Sequence, residues 1–438
     1  MKTKLPFLLL FIFCLVAAII PIHTNGNGAD IVASDVAWLL SATGLVFLMT
    51  PGLSFFYGGM VRRKNIISTM LQSFICLGVI TIIYFIVGFS LCFGDSFKGI
   101  IGNPLTFMFL RNVGLDVHPV LAPTIPFLLF ALFQLKFAII TPALITGSFA
   151  ERVNFKAYVL FISLFTIFIY APLAHATWHP EGIFRKWGVL DFAGGTVVHM
   201  SAGYAALVGA MFLGRRKEFE KNRHYEPVNI PYVLLGTGML WFGWFGFNGG
   251  SALGANATAV QAFATTMAAS AAAMMGWVAL EMFKGNKPSA MGACIAAVVG
   301  LVAITPGCAY VTVPQALFIG FITAVISNFA VKFKNKSNLD DTLDVFPCHG
   351  LGGIIGMLLT AVFAKDVGLI YGETTTFLYH LLALAIASLF AFFGSYLLFK
   401  VTDFFIPVRV SLDAEEDGLD FSQHGERYKP KRRLDAYL

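Results

Sequence analysis

The chain has 438 residues, of which 57% are hydrophobic and only 12% charged, with a mean hydropathy of +0.77. Soluble domains carry about 25% charged residues, so a single water-soluble domain is excluded and the apolar surface must face lipid. The net charge of +6 is scattered over many short segments with no aromatic-interleaved basic face, which gives no support to a nucleic-acid partner.

The first stretch, MKTKLPFLLLFIFCLVAAIIPIHTNG, places Lys2 and Lys4 before an apolar run and a polar region. Residues 1–24 read as a secretory signal peptide cleaved near 22–28, with a retained helix as the alternative. Eleven continuous apolar spans follow, at 33–57, 66–93, 122–146, 155–178, 189–213, 230–250, 256–283, 289–305, 312–332, 342–364 and 375–406. They run unbroken and do not alternate, so they read as helices and not as a barrel. The fold class expected is an all-α polytopic membrane protein.

One set of connecting segments holds fifteen Lys and Arg: Arg62, Arg63, Lys64, Arg152, Lys156, Arg215, Arg216, Lys217, Lys221, Arg223, Lys284, Lys287, Lys332, Lys334 and Lys336. The other set holds five: Lys98, Arg111, Arg185, Lys186 and Lys365. The positive-inside rule puts the first set in the cytoplasm, the N-terminus outside and the tail inside a plasma or inner membrane. The tail, 407–438, has 13 charged residues among its 32 and reads as soluble and cytoplasmic.

A sparse repeat lies in the spans. Asp191 precedes His199 by eight residues, and Asp341 precedes His349 by eight. Glycines flank both histidines: Gly194, Gly195 and Gly203 around the first, Gly350, Gly352 and Gly353 after the second. The histidines fall in spans 5 and 10. Two halves of five spans each, about 33–213 and 230–364, must be inverted because five is odd, and 375–406 is left as an eleventh helix. Each imidazole lies roughly 10–15 Å into a core about 30 Å thick, from opposite faces, so both reach the middle. Glycines there let helices approach closely.

No P-loop, dinucleotide fingerprint, HExxH, zinc-spaced His/Cys cluster, TVGYG-like filter or arginine-periodic helix is present. No nucleophile–base pair has convincing spacing, so neither an enzyme nor a cofactor is expected. The six cysteines, with no CxxC among them, read as small core residues. A lone intramembrane histidine is as often a packing residue as a functional one, but two at matching positions point to a shared site. Asp191 has a bland reading as a helix cap and a functional one as a source of negative potential at the outer mouth. Trp178 reads as an interfacial anchor or as a cation–π platform. Phe133 and Phe137, four apart, share a helix face. In LWFGWFGFNGGS, Phe247 can pack as a gate and Ser251 can accept a hydrogen bond from a cation, with close helix packing as the alternative.

These residues lie in stretches that resemble the ammonium transporter family (Amt/Mep, related to Rh proteins): FFYGGMVRRKN (55–65), FQLKFAIITPALITGSFAERVNF (133–155), DFAGGTVVHMSAG (191–203), WFGWFGFNGGS (241–251), DVFPCHGLGGIIG (344–356) and EEDGLDFSQHGE (415–426). The resemblance implies a homotrimer in lipid with one conduction path per subunit, taking ammonium and its analogue methylammonium. It implies an outer cation site of Trp178, Phe133, Phe137 and Ser251 with Asp191 as an electrostatic and structural carboxylate near it, a phenyl gate of Phe137 and Phe247, and paired pore histidines, His199 and His349. It also implies a regulatory tail where a PII signalling protein docks, the alternative being a solvated charge run. A sensor of the same fold that signals through its tail with little flux is the rival function.

Two positions depart from the family. Lys136 stands where relatives carry a small or uncharged residue, and a mid-span charge costs about 2.5–3.5 kcal/mol unless paired or hydrated. It lies about 100° around the helix from Phe137, so it need not face the pore. WHPEGIFRKWG (178–188) is bulky and charged where many relatives have a glycine run.

Overall fold

The computed structural model describes residues 5–19, 30–217, 219 and 227–428. A helix covers Leu5–Ile19. The cleavage point expected near 22–28 lies outside the described residues, as do Lys221 and Arg223. Among the described residues eleven further apolar helices follow in chain order: α1 (Ala33–Met60), α2 (Arg63–Phe93), α3 (Phe127–Ser148), α4 (155–178), α5 (Gly195–Leu213), α6 (Ile230–Gly250), α7 (Ala257–Phe283), α8 (Ala290–Ile304), α9 (Val313–Lys336), α10 (Phe346–Phe363) and α11 (Thr374–Phe405). Ten are long and apolar enough to cross a membrane, and α8, with 15 residues, is the short one. The chain is an all-α polytopic membrane protein with the expected eleven helices.

Corresponding helices of the two halves run antiparallel against each other. On α1 and α6, Gly52 meets Gly236 and Met239, Met49 meets Gly243, Ala42 meets Gly246, and Gly59 meets Asn229 and Val233, so the numbers fall on one helix as they rise on the other. On α5 and α10, Gly203 meets Gly350 and Gly195 meets Met357 in the same sense. Antiparallel packing of helix 1 on 6 and of 5 on 10 is what an inverted repeat produces. Small residues allow it, because without a hydrophobic drive in lipid the helices are held by close backbone approach.

The helix starts differ from the sequence reading at three places. Span 3 begins at Phe127, because residues Ala122–Pro126 form a strand against Val117–His118. Span 5 begins at Gly195 and span 10 at Phe346, each after an acid-capped turn. Both then open on a π-helical turn, Gly195–Met200 and Phe346–Gly350, which carries the histidine. Further π turns interrupt α2 at Tyr84–Gly88 and α4 at Thr166–Tyr170. Such turns widen a helix by one residue and re-aim its side chains.

At the α3–α4 turn a charged cluster closes the bundle. The Glu151 carboxylate is fully buried and accepts from the Arg62 backbone N–H at 2.7 Å and from its guanidinium at 2.6 and 2.8 Å. Arg216 donates to Glu151 at 2.8 Å and to both Asp340 oxygens at 2.8 and 2.9 Å. Arg152 donates to the Asp340 carbonyl at 2.6 Å and to Thr342 at 2.7 Å. The tail packs on this face. Its two short helices, α12 (Leu412–Asp417) and α13 (Leu419–His424), are held by Lys64 donating to the Glu416 carbonyl (2.6 Å), by the Ser68 N–H donating to Asp420 (2.8 Å) and by the Leu419 N–H donating to Asn65 (2.8 Å). The described part of the tail is therefore docked and not a freely solvated run.

Candidate functional site

Asp191 builds the site from below. Its Oδ1 accepts from the Gly194 and Gly195 N–H groups at 2.8 and 2.6 Å, and its Oδ2 accepts from the Thr196 N–H at 2.7 Å and the Thr196 hydroxyl at 2.5 Å. These are donors that a helix start leaves without intrahelical partners. Gly194 holds φ +120°, a conformation closed to residues with a Cβ, and that turn aims the amides at the carboxylate. Asp341 repeats the device at α10, accepting from the Val345 and Phe346 N–H groups at 3.1 and 2.8 Å. The eight-residue spacing thus marks two copies of one element, an acid cap on a π turn that presents a histidine. Asp191→Ala is expected to cost about 1–2 kcal/mol for the lost cap, more where the freed amides stay dry. The check is the melting temperature of the variant in detergent.

Above Asp191 lies a cavity of about 270 Å³ walled by Phe130, Gln134, Trp178, Arg185, Ser251 and Tyr310, among others. Phe137 also lines it. Trp178 donates its indole N–H to the Asp191 carbonyl at 3.0 Å, which fixes the ring plane across the cavity. Ser251 donates to the Phe247 carbonyl at 2.8 Å, leaving its oxygen lone pairs to accept. Phe137 stacks on Phe247 with centroids 4.2 Å apart and planes at 30°, and both rings are buried. Phe133 is buried beside Phe137, at 5.0 Å between centroids, and is not part of the cavity wall.

Behind the phenyl stack stand the histidines. The His199 ring lies 6.2 Å from Phe247 and stacks on Trp244 at 5.3 Å. The Trp244 indole donates to Thr305 at 2.9 Å and is thereby locked in place. His199 and His349 are buried, with ring centroids 5.5 Å apart and their Nδ1 atoms at 3.4 Å. A hydrogen bond between two Nδ1 atoms requires one ring protonated there and the other not. With both rings neutral, the outward Nε2 atoms are then one acceptor and one donor. His199 Nε2 is buried with no protein partner. On the far side, His349 borders a second, much smaller cavity with Phe56, Tyr57, Ile295, Val298, Leu343 and Cys348. The histidine pair therefore stands between two cavities closed from each other by rings.

Gly203 sets the spacing. A Cβ there would stand 2.2 Å from the Gly350 Cα and 2.3 Å from its N, so the α5 and α10 backbones touch one turn after His199 and one residue after His349. Lys136 points elsewhere: its ammonium lies 5.3 Å from the Phe47 ring on α1, so it faces that helix and not the cavity.

Three residues escaped the sequence reading. Gln134 shares a face with Phe137 at i+3 and keeps its Oε1 buried without a partner, so a polar residue in mid-span was the available signal. Trp244 sits one turn before Phe247, and that shared helix face was its available signal. Arg185 was seen only as part of a charged loop, and nothing in its spacing placed it on the cavity wall.

The sequence model of the Ammonium Transporter Family matches residues 37–429. The chain is 40% identical to the ammonium transporter Amt1 of Archaeoglobus fulgidus over 398 residues, covering 90% of this chain and 98% of that one. Its structure resembles Mep2 of Saccharomyces cerevisiae with a TM-score of 0.82 at 30% identity, over 90% of this chain and 94% of that one. It also resembles a protein described as a sensor Amt protein, with a TM-score of 0.82 at 30% identity, over 89% of this chain and 98% of that one. A match along nearly the whole chain and a like fold both point one way: the chain belongs to the ammonium transporter family.

Proposed function

We propose that the chain captures ammonium in the Trp178 cavity, strips one proton from it, and passes neutral ammonia between Phe137 and Phe247 and along His199 and His349. The observation that carries this reading is the buried imidazole pair, with Nδ1 atoms 3.4 Å apart, behind a closed phenyl stack. A bare cation in such a passage forfeits hydration worth tens of kcal/mol, so the passage favours a solute that can leave its charge behind. Potassium has no proton to lose. The Trp178 face supplies cation–π attraction of about 0.5–2 kcal/mol, and Ser251 supplies an acceptor. The released proton passes to solvent water at the cavity mouth or onto the His199–His349 pair, and the net charge moved per cycle distinguishes the two routes.

The positive-inside bias of the loops supports placing the Trp178 cavity outside and the Glu151 cluster and tail in the cytoplasm of a plasma or inner membrane. The family resemblance supports a homotrimer in lipid and a regulatory role for the tail, including a PII contact. It also supports residues 25–406 as the transport unit, while Lys2 and Lys4 ahead of an apolar run and a polar region support 1–24 as a cleaved signal peptide. The second reading, a sensor with little flux, is favoured by the likeness to a sensor Amt protein and by the docked tail.

Labelled methylammonium uptake into proteoliposomes tests both readings. His199→Ala and His349→Ala are each expected to lower uptake roughly tenfold, the scale of one lost buried hydrogen-bond partner, or to let potassium compete. Unchanged uptake and unchanged selectivity in both variants would remove the histidines from the path. Negligible uptake by the wild type would favour the sensor.

A further inference from the structure

Two charged side chains line the Trp178 cavity among the described residues: Asp191 and Arg185. They are not equivalent. The Asp191 carboxylate is buried and accepts four short hydrogen bonds from its own helix start, whose aligned N–H dipoles oppose its negative field. Arg185 is exposed on the short helix Ile183–Lys186, and none of the described carboxylates pairs with it. Its neighbour Lys186 is neutralised by Glu181 at 2.5 Å. The Tyr310 hydroxyl, on the same wall, responds to both charges. Burial pushes it up to about 12, Cys308 and Asp191 push the same way, and Arg185 pulls it down more strongly than Asp191 raises it.

Resting on the proposed cation capture, we infer that Arg185 is a specificity-setting residue that opposes cation capture at the mouth and raises the ammonium concentration at which transport half-saturates. A fixed positive charge on the rim of a concave, partly low-dielectric cavity repels a like-charged solute before it reaches Trp178. Neutral ammonia gains nothing and loses nothing from that field. The seat is then left to the ring face of Trp178 and the oxygen acceptors of Ser251 and Gln134, with little help from the nearby acid. The bulky 178–188 loop thereby acquires a function: it carries the one guanidinium on the cavity wall.

Ionic strength is the diagnostic, because screening weakens a charge effect at a solvated rim and leaves a packing effect untouched. Methylammonium uptake is measured against its concentration in proteoliposomes holding wild type, Arg185→Gln, Arg185→Glu or Arg185→Lys, at about 10 mM and about 300 mM salt. Arg185→Gln is expected to lower the half-saturating concentration roughly three- to tenfold at low salt, the scale of one partly screened charge at short range. Its maximal rate moves much less. Arg185→Glu goes further in the same direction, Arg185→Lys restores wild-type behaviour, and the differences shrink at high salt. An unaltered half-saturating concentration in Arg185→Gln and Arg185→Glu at low salt would overturn the inference, as would a shift of the same size at both salt concentrations. Absence of uptake in the wild type would instead refute the transport reading on which it rests.

Discussion

Gly203→Ala is expected to abolish most transport, roughly a tenfold loss or more, while leaving a protein that still inserts. The Cβ would sit 2.2 Å from the Gly350 Cα, against backbone and not against a side chain able to swing away. Overpacking of this kind costs about 1–3 kcal/mol even where side chains can shift. Here relief comes only by moving α5 from α10. That movement opens the 3.4 Å gap between the two Nδ1 atoms, already at the long end for a hydrogen bond. Methylammonium uptake and melting in detergent report the two parts separately. Gly78→Ala on α2 is the control, because a Cβ there meets nothing within 4 Å. It is expected to be neutral or to stabilise by up to about 1 kcal/mol. If Gly203→Ala transports like wild type, the close crossing does not set the histidine geometry.

The largest loss of stability is expected from Glu151→Ala, about 3–5 kcal/mol, because one buried carboxylate serves two guanidiniums. Its removal takes from Arg216 its 2.8 Å contact with Glu151 and from Arg62 three short contacts. The backbone at Glu151 is also held at φ +74°, an uncommon conformation for a residue with a side chain, which the ion pairs maintain. Burial alone would push this carboxyl up, but Arg216 and Arg62 outweigh it and hold it down at about 2. A carboxyl held below its ordinary value, about 4.3, stabilises the fold above that value. The contribution fades as pH falls from about 4.5 toward about 2. Melting temperature should therefore not vary with pH through this group between about 5 and 8, and its decline on acidification should be weaker in Glu151→Gln. An acid limb identical in variant and wild type would contradict the assignment. Since α12 and α13 rest on the same face, loss of the cluster is also expected to release the tail to protease.

The helices were legible because lipid demands long apolar runs, and the eleven expected spans differ from the observed ones mainly at their starts. Those starts, at residues 127, 195 and 346, are where a strand or an acid-capped turn replaces the first helical turn. Hydropathy cannot see such a change, because Val189 and Ala193 are as apolar as the helix they precede. The histidine pair was legible for a different reason: an inverted repeat writes the same cap and the same histidine twice. The π turns that carry the histidines were not, since one extra residue in a turn leaves no compositional trace. Lys136 shows the limit most clearly. Helix geometry separated it from Phe137, but only the fold reveals the Phe47 ring on which it rests.

The central claim is that the passage carries a solute able to shed its charge and refuses one that cannot. Tracer uptake into the same proteoliposomes, labelled methylammonium in one arm and rubidium as the potassium tracer in the other, tests it most directly. Saturable methylammonium uptake, with rubidium indistinguishable from protein-free vesicles, is predicted. Rubidium uptake at a comparable rate would mean that a bare cation crosses the Phe137–Phe247 stack, and would contradict deprotonation as the condition for passage.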